Sequence, residues 1–343
     1  MLLAKASAPG KCILFGEHAV VYGEPGIAVP LSSCKAEAKA YAYEKGFLKI
    51  ETDLASSEGE VKEYKEFGKW LNEKWEHCYK AGDFSEIFKE VKKQPEKTWL
   101  SILAWYFNLS EEFSALFKIK SSIPIGAGAG SSAAISSSLS KCIANLIGES
   151  DMQKIFQASL LCEKMFHGTP SGIDSAIACY EKPLVFIKEK GFEFFEIKPL
   201  KVFMIYTHKP EKTTGELVQK VKELNKEYRE PIIKQIGKLV VKAKKALENG
   251  ELKTLLNCAK ENQYLLQKLG VSSNEIDELS KRINKKDNMA LKLTGAGGGG
   301  LAIGFYLPEV EEEFEKILKE MKYSKIEFPK LNLEEKIYWK EEL

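Results

Sequence analysis

The stretch Ile123-Pro-Ile-Gly-Ala-Gly-Ala-Gly-Ser-Ser-Ala-Ala-Ile-Ser-Ser-Ser138 determines how the rest of the chain is interpreted. Its glycines alternate at positions 126, 128 and 130, and glycine readily adopts the backbone angles of a tight turn. Apolar residues then recur at helical spacing: Ala134, Ile135, Leu139, Cys142, Ile143 and Leu146. A glycine loop that leads into a helix N-terminus binds anions, because unpaired amides and the positive end of the helix dipole face the same point.

Taken alone, this stretch also has a simpler interpretation, a flexible Ser/Gly turn before an ordinary buried helix. It lacks the Gly-Lys-Ser/Thr ending of a P-loop, and its glycines do not fit the dinucleotide fingerprint. The remainder of the chain has to decide between a phosphate site and a structural turn.

The charge balance favours small-molecule partners. The 343 residues include 51 Lys and Arg against 49 Asp and Glu, a net charge of +2, which creates no global field for nucleic acid or a membrane. The arginines are Arg229 and Arg282, so bidentate arginine clamps are not the main phosphate ligands. Backbone amides, lysine and a metal ion have to take that role.

Cysteine usage and hydropathy indicate the compartment. Seven scattered cysteines, odd in number and without a Cys-x-x-Cys pair, argue against a disulfide framework and a zinc site. No basic-then-apolar signal region begins the chain, and no run of about 18 apolar residues occurs. These features predict a cytoplasmic protein that does not enter a membrane. Whether it forms a homodimer is left open.

Hydrophobic periodicity predicts a mixture of strands and helices. We expect a turn at Pro9-Gly10, a strand from Cys12 to Phe15, and separate strands over 26–31 and 35–43. Residues 57–109 are Lys/Glu-rich with several tryptophans at helical spacing, which indicates packing helices rather than a ligand box. Residues 225–249 predict a long helix broken at Pro231.

Two carboxylates stand apart from the solvated ones. Asp174 follows Glu163 by eleven residues, across a Gly-x-Pro-Ser-Gly connection that folds the chain back, so the two could approach each other from different elements. That placement suits a metal ligand and a base. The alternatives are a capping box from Ser171 to Asp174 and an exposed helix carboxylate at Glu163.

The second glycine run, residues 294–300, contains Gly-x-Gly-x-x-Gly but does not predict a dinucleotide site. The segment after it, residues 301–306, has the pattern of a strand, whereas the fingerprint requires a helix. Four consecutive glycines between strands favour close approach of the backbone to a ligand or a facing loop. A Gly-x-Ser-x-Gly elbow is missing, so acyl hydrolysis gains no support.

Three segments together resemble the signature motifs of the small-molecule kinases named for galactokinase, homoserine kinase, mevalonate kinase and phosphomevalonate kinase. In chain order they are Pro9 to Lys11 with Gly16 to Gly23, Pro124 to Ala134, and Lys292 to Gly300. Within that superfamily, Gly-Glu-His-Ala-Val-Val-Tyr-Gly at 16–23 and His-Gly-Thr-Pro-Ser-Gly-Ile-Asp at 167–174 look specifically like the mevalonate kinases. Ala129, where leucine is usual, and Thr169, where asparagine is common, depart from the family pattern.

The resemblance implies an α+β fold of two domains with the active site in the cleft between them. The first, residues 1–196, would be a ribosomal-protein-S5-like domain that binds ATP and substrate and carries a helical insertion at about 57–109. The second, residues 197–343, would be a ferredoxin-like α/β sandwich.

The resemblance also assigns roles. The first glycine loop would bind ATP, Ser132 and Glu163 would hold Mg²⁺, and Asp174 and Lys11 would be catalytic. The ATP-binding residues would be Pro124, Gly126, Ala127, Gly128, Ala129, Gly130, Ser131, Ser132 and Ala133. The mevalonate-binding residues would be Lys11, Glu17, His18, Asp174, Gly295, Ala296 and Gly297.

The implied activity is ATP-dependent phosphorylation of the primary hydroxyl of mevalonate, which gives 5-phosphomevalonate in isoprenoid biosynthesis. A phosphate cradle, a metal ion, a lysine and a positioned carboxylate are sufficient for phosphoryl transfer. The alternatives are another kinase of the superfamily, acting on phosphomevalonate or on the tertiary hydroxyl of mevalonate, and a non-catalytic nucleotide and metabolite sensor.

Overall fold

The computed structural model describes residues 1–123, 128–326 and 335–340 and has the α+β composition predicted from the sequence. The helices are α1 Val61–Ala81, α2 Ser85–Lys93, α3 Pro95–Tyr106, α4 Ser131–Ile147, α5 Met152–His167, α6 Ile173–Tyr180, α7 Thr214–Glu223, α8 Lys226–Asn249, α9 Leu252–Lys268, α10 Asn274–Ile283 and α11 Glu311–Glu320. The strands are β1 Leu2–Phe15, β2 Gly26–Tyr41, β3 Phe47–Glu51, β4 Ser56–Glu60, β5 Ala115–Ser121, β6 Leu184–Ile187, β7 Gly191–Phe194, β8 Val202–Tyr206, β9 Met289–Leu293, β10 Leu301–Tyr306, β11 Tyr323–Ile326 and β12 Glu335–Lys340.

The chain divides into two compact units. The first comprises Met1–Gly10, Cys34–Ile123 and Gly130–Glu181, and the second comprises the other described residues, so β1 and β2 contribute to both. The domain boundary near residue 196 stays a prediction.

In the first unit, a sheet with the order β4-β3-β5-β2 is packed against α1 to α6. Alternation along β2 explains which face is buried: Ala36, Ala38 and Ala40 are fully buried. The charged residues between them are partly exposed. Apolar residues of α1, α3, α4 and α5 complete the core, among them Leu71, Leu103, Leu139 and Cys162.

In the second unit, five described strands form a sheet with the order β11-β12-β8-β10-β9, while β6 and β7 pair onward from β2 in the other sheet. Strands β8, β10 and β9 pair antiparallel, and β12 lies parallel to β8. Strands β9 and β10 are buried along their whole length. Gly304 lies under the ring of Phe314, where an added Cβ would lie 2.4 Å from the ring, so only glycine lets this helix pack so closely. The helices of this unit thereby position the second glycine run between β9 and β10.

Several predicted boundaries were wrong. Strand β1 continues from Leu2 to Phe15 through the expected turn at Pro9-Gly10, and the two predicted strands over 26–43 are one strand, β2. Helix α8 is not broken at Pro231, because the proline lies in its second turn and removes only one backbone hydrogen bond. In the described residues, no helix is long and apolar enough to span a membrane.

Candidate active site

The described part of the first glycine loop leads directly into α4. Gly128 and Gly130 have φ angles of +74° and +73°, in the left-handed region that favours glycine. Gly130 is the N-cap of α4 and no side chain caps the helix there. The first helical hydrogen bond runs from Ala134 N–H to Gly130 O at 3.0 Å. The amides of residues 131–133 therefore precede the helical ladder, which is the arrangement that binds an anion.

The backbone of Lys11 adjoins this loop. The Lys11 amide donates to the carbonyl oxygen of Ala129 at 2.8 Å, and Ala129 is buried. Three other predicted loop residues, Pro124, Gly126 and Ala127, lie outside the described residues. The contact brings the predicted catalytic lysine and the described loop residue together.

Glu163 is a buried carboxylate held by serine hydroxyls from α4. Ser132 Oγ donates to Glu163 Oε1 at 2.6 Å and Ser136 Oγ donates to the same oxygen at 3.0 Å. Glu163 is only 3% exposed, so the alternative of an exposed helix carboxylate is wrong. Burial raises its pKa to about 7, and the nearby charge of Asp174 acts in the same direction, while the serine hydrogen bonds oppose both.

Asp174 lies in the first turn of α6 and is not part of a capping box. The N-cap of α6 is Gly172, and no side chain caps this helix. Ser171 Oγ instead accepts from the Ile173 amide at 3.4 Å. Asp174 remains partly exposed. The capping role that the sequence left open for Asp174 is therefore ruled out.

Glu163 and Asp174 line the same cavity, which has a volume of about 170 Å³ and also includes His167. His167 Nε2 lies 3.4 Å from Glu163 Oε2. Ser175 lines the cavity too; its hydroxyl is buried and has no hydrogen-bond partner among the described residues. An unsatisfied buried hydroxyl beside two carboxylates indicates a site built for a ligand.

In the second unit, Glu17 forms a buried ion pair with Lys292. Lys292 Nζ donates to Glu17 Oε1 and, at 2.6 Å, to the carbonyl of Leu293, and both charged side chains are completely buried. Burial raises the pKa of Glu17 despite the opposing charges of Lys292 and Lys11. Glu17 Oε2 has no hydrogen-bond partner in the described part of the chain. One carboxylate oxygen is thus fixed by Lys292, and the other is buried without a partner among the described residues.

His18 is held in an unusual conformation by the second glycine run. Its φ angle is +61°, which is uncommon outside glycine and often marks a functional site. His18 Nε2 lies 2.8 Å from the carbonyl oxygen of Ala296. Because a carbonyl only accepts, Nε2 carries the proton. Burial lowers the pKa of His18, so the ring is neutral near pH 7 and Nδ1 is left as an acceptor.

The two glycine runs line a common cavity of about 410 Å³. Gly128 from the first run lies on the wall with Gly295, Ala296 and Gly297 from the second. Gly297 has a φ angle of +88°, and an added Cβ would lie 2.0 Å from the carbonyl oxygen of Val271, so no other residue fits. These residues were singled out from the sequence, and the structure brings the described ones together.

Sequence reasoning missed three lysines. Lys292 is a charged residue in the otherwise apolar strand β9. Such a conflict often marks a functional site, so the sequence did contain a reason to single out this lysine. Lys209 and Lys212 line the 410 Å³ cavity from the loop after β8. No pattern distinguished these two from the many other lysines of the chain. They place positive charge beside the glycine runs where an anionic ligand would need it.

A metal ion would have few protein ligands here. Among the residues that the structure describes, no group of three or more His, Cys, Asp or Glu side chains could hold one. The cavity nevertheless offers a serine hydroxyl and two carboxylates, the oxygen ligands that Mg²⁺ prefers. Mg²⁺ commonly takes one or two carboxylates and completes its shell with water and phosphate oxygens, so this donor set fits the ion.

Comparison with known proteins identifies the family of the chain. The model of the GHMP kinases N terminal domain matches residues 98–182, and that of the GHMP kinases C terminal domain matches residues 243–323. The mevalonate kinase of Pyrococcus horikoshii is 31% identical over 312 residues, which cover 86% of each chain. That of Candida albicans is 31% identical over 356 residues, 89% of this chain and 82% of the other.

Solved structures give the same assignment. The crystal structure of the Methanococcus jannaschii mevalonate kinase superposes with a TM-score of 0.76 at 27% identity, covering 92% of this chain and 94% of that one. The chain belongs to the mevalonate kinase family of the GHMP kinases.

Proposed function

We propose that this protein is a cytoplasmic enzyme that transfers the γ-phosphoryl group of ATP to the primary hydroxyl of mevalonate, forming 5-phosphomevalonate and ADP for isoprenoid biosynthesis. The observation that carries the proposal is the hydrogen bond from Ser132 to Glu163 at the start of α4, beside the cavity that Asp174 lines. This bond links the helix terminus that would bind phosphate to the buried carboxylate of Glu163, which shares the cavity with the partly exposed carboxylate of Asp174. The names of the relatives supply the acceptor, mevalonate.

ATP would bind at the first glycine loop. The amides at the start of α4 donate to its phosphate oxygens, aided by the positive end of the helix dipole. Ser132 and Glu163 would hold Mg²⁺, and that ion would neutralise charge on the β- and γ-phosphates when bound. Ser136 keeps Glu163 Oε1 oriented toward α4. Lys11, whose backbone adjoins Ala129, would stabilise the charge that develops on the transferred group.

Mevalonate would be held by the groups around the second glycine run. Glu17 Oε2 and His18 Nδ1 are both acceptors, so each can receive a hydrogen bond from a substrate hydroxyl. Gly295 to Gly297 let the backbone approach the substrate closely. Lys209 and Lys212 provide positive charge for its carboxylate or for phosphate.

Asp174 would act on the acceptor hydroxyl. Its carboxylate orients the hydroxyl and accepts its proton as the oxygen attacks the γ-phosphorus and the bond to ADP breaks. Partial exposure keeps Asp174 accessible to substrate, and the structure leaves it without a capping role. The protein thus positions the reactants and supplies charge, which is most of what phosphoryl transfer requires.

A direct test compares ADP release with mevalonate, phosphomevalonate, galactose and homoserine at equal concentrations of enzyme and MgATP. We expect turnover with mevalonate and a product phosphorylated on its primary hydroxyl, identified by phosphorus NMR. Turnover of a different acceptor without mevalonate would assign another kinase of the superfamily. Nucleotide binding without turnover of any acceptor would favour the sensor alternative.

A further inference from the structure

The Trp-rich insertion formed by α1, α2 and α3 is hydrogen-bonded to the turn that follows α5, beside the candidate active site. Trp75 on α1 donates from its indole Nε1 to the carbonyl oxygen of Gly168 at 2.7 Å. Its ring also lies 4.5 Å from the ammonium group of Lys164, on the last turns of α5. A tryptophan of the insertion is therefore attached to the end of α5 by both a directional bond and a cation–π contact.

Gly168 is held a second time by the insertion. It is the C-cap of α5, with φ +68° and ψ −78°, a conformation that favours glycine. An added Cβ would lie 2.9 to 3.1 Å from ring atoms of Phe84, the residue that precedes α2. Phe84 thus packs against the Cα of Gly168 while Trp75 binds its carbonyl, so two side chains of the insertion contact one residue.

The position of Trp75 is itself fixed by close packing of α1 on α3. An added Cβ at Gly68 would lie 2.1 Å from the carbonyl oxygen of Ser101, so these helices touch through their backbones. Trp75 follows Gly68 by seven residues, almost two full helical turns, and therefore projects from the same face of α1. A shift of α1 that displaced the backbone of Trp75 would therefore disturb this contact.

Gly168 lies between the two carboxylates of the 170 Å³ cavity. Glu163 is five residues before it, on α5, and Asp174 is six residues after it, on α6. His167, next to Gly168, lies 3.4 Å from Glu163. The orientation of the Gly168 peptide thus sets the direction in which the chain leaves α5 and reaches Asp174.

From these contacts we infer that Trp75 is a positioning residue for phosphoryl transfer: its indole fixes the turn at residues 168–174 and thereby the placement of Asp174 relative to Glu163. The inference rests on the proposed function, in which those carboxylates serve as base and metal ligand. In this account the insertion keeps the turn at residues 168–174, on one side of the catalytic site, in a fixed position. A displacement of about 1 Å at a reacting group can lower a rate by about 10²-fold.

The chain contains a matched control in Trp99. It also belongs to the insertion and packs on α5, its ring 5.0 Å from that of Phe166. Its indole nitrogen is buried without a hydrogen-bond partner among the described residues. Trp99→Phe therefore removes a similar volume as Trp75→Phe without removing a hydrogen bond to the turn. A merely structural role predicts the same effect for both substitutions.

The experiment measures kcat, KM for both substrates, Tm and hydrogen exchange of a peptide spanning 168–175 in the wild type and both variants. For Trp75→Phe we expect kcat to fall at least about 10-fold. We also expect KM for ATP to change less than about twofold, because the first glycine loop is held by other contacts. Hydrogen exchange at 168–175 should accelerate, because the variant lacks the hydrogen bond to Gly168. For Trp99→Phe we expect a lower Tm with kcat and exchange at 168–175 unchanged.

Retention of kcat by Trp75→Phe, or losses of kcat that follow Tm equally in both variants, would overturn the inference. Phe84→Leu gives a second test if Trp75→Phe folds poorly: it loosens the cover over Gly168, keeps the hydrogen bond, and should lower kcat and accelerate exchange in the same peptide. Unchanged kcat and exchange in Phe84→Leu would also contradict it. Hydrogen exchange does not depend on the substrate, so an inactive wild type would refute the proposed function and leave this inference testable.

Discussion

Lys292 on β9 and Glu17 just after β1 form a completely buried ion pair across 275 positions of sequence. Removal of one partner leaves a buried charge uncompensated, which typically lowers the free energy of unfolding by about 3–5 kcal/mol. We therefore expect Lys292→Met to be strongly destabilising at pH 8. Urea unfolding followed by circular dichroism measures the effect.

The destabilisation of Lys292→Met should be smaller at pH 5 than at pH 8. Burial already raises the pKa of Glu17, and loss of the lysine charge raises it further. A carboxyl whose pKa is raised in the folded state contributes its stability at low pH and loses it as the pH rises through that pKa. Lys39→Met, which removes a surface partner of Glu37, is the control and should change little at either pH. An equal loss at both pH values would contradict this account.

Burial of His18 predicts a second effect of pH on stability. Here stability decreases as the pH falls, the opposite of the effect expected for Glu17. Burial lowers the pKa of its imidazole, so the folded protein takes up the proton less readily than the unfolded chain does. The stability associated with neutral His18 is present above pH 6.5 and is lost as the pH falls through the folded-state pKa.

We therefore expect His18→Gln, which keeps an N–H donor for Ala296, to reduce the fall in Tm between pH 7.5 and pH 5. His77→Gln is the matched control, since His77 is exposed on α1 and should leave the pH profile unchanged. Identical pH profiles for the wild type and His18→Gln would show that His18 does not titrate as its burial requires.

The sequence was sufficient for the features that depend on local pattern. Helix α4 after the glycine loop and β10 after the second glycine run follow from periodicity, and α5 begins just after Asp151, a residue type that capping chemistry favours. Asp151 accepts a hydrogen bond from the Gln153 amide at 2.8 Å, as an N-cap should. Local chemistry of this kind is encoded within a few residues.

Other features depend on contacts between distant residues and were not predictable. The pairing of Lys292 with Glu17 depends on the arrangement of β1 and β9, and the hydrogen bond from Trp75 to Gly168 depends on how α1 packs on α3. Pro9-Gly10 has the pattern of a turn but lies in β1, because tertiary pairing overrides local propensity in strands. Thr213 and Glu216 form a capping box at α7 that a closer search of the sequence would have found.

Substitution of Glu163 should raise the thermal stability of the protein and lower its activity. Its ionised form is buried with serine hydroxyls as hydrogen-bond donors, and burial of a charge is unfavourable. We expect Glu163→Gln to raise Tm without Mg²⁺ at pH 8 and to lower kcat by at least about 10²-fold, equivalent to roughly 2.7 kcal/mol of transition-state stabilisation. Differential scanning fluorimetry and ADP release measure the two effects. A lower Tm together with unchanged kcat would show that Glu163 is a structural residue only.

Substitutions of Asp174 and Ser171 distinguish a catalytic role of Asp174 from a role in capping α6. If Asp174 accepts the proton of the acceptor hydroxyl, Asp174→Asn should lower kcat by the roughly 10² to 10⁴ typical of a lost acid–base group, with Tm little changed. If a capping box stabilised α6, Ser171→Ala would cost about 1 kcal/mol of stability. We expect less than about 0.5 kcal/mol, because Gly172 is the N-cap and Ser171 receives only a 3.4 Å hydrogen bond from Ile173. Steady-state kinetics with mevalonate and urea unfolding of both variants separate these accounts. A capping role predicts the larger loss of stability in Ser171→Ala. A catalytic role predicts a loss of kcat in Asp174→Asn alone.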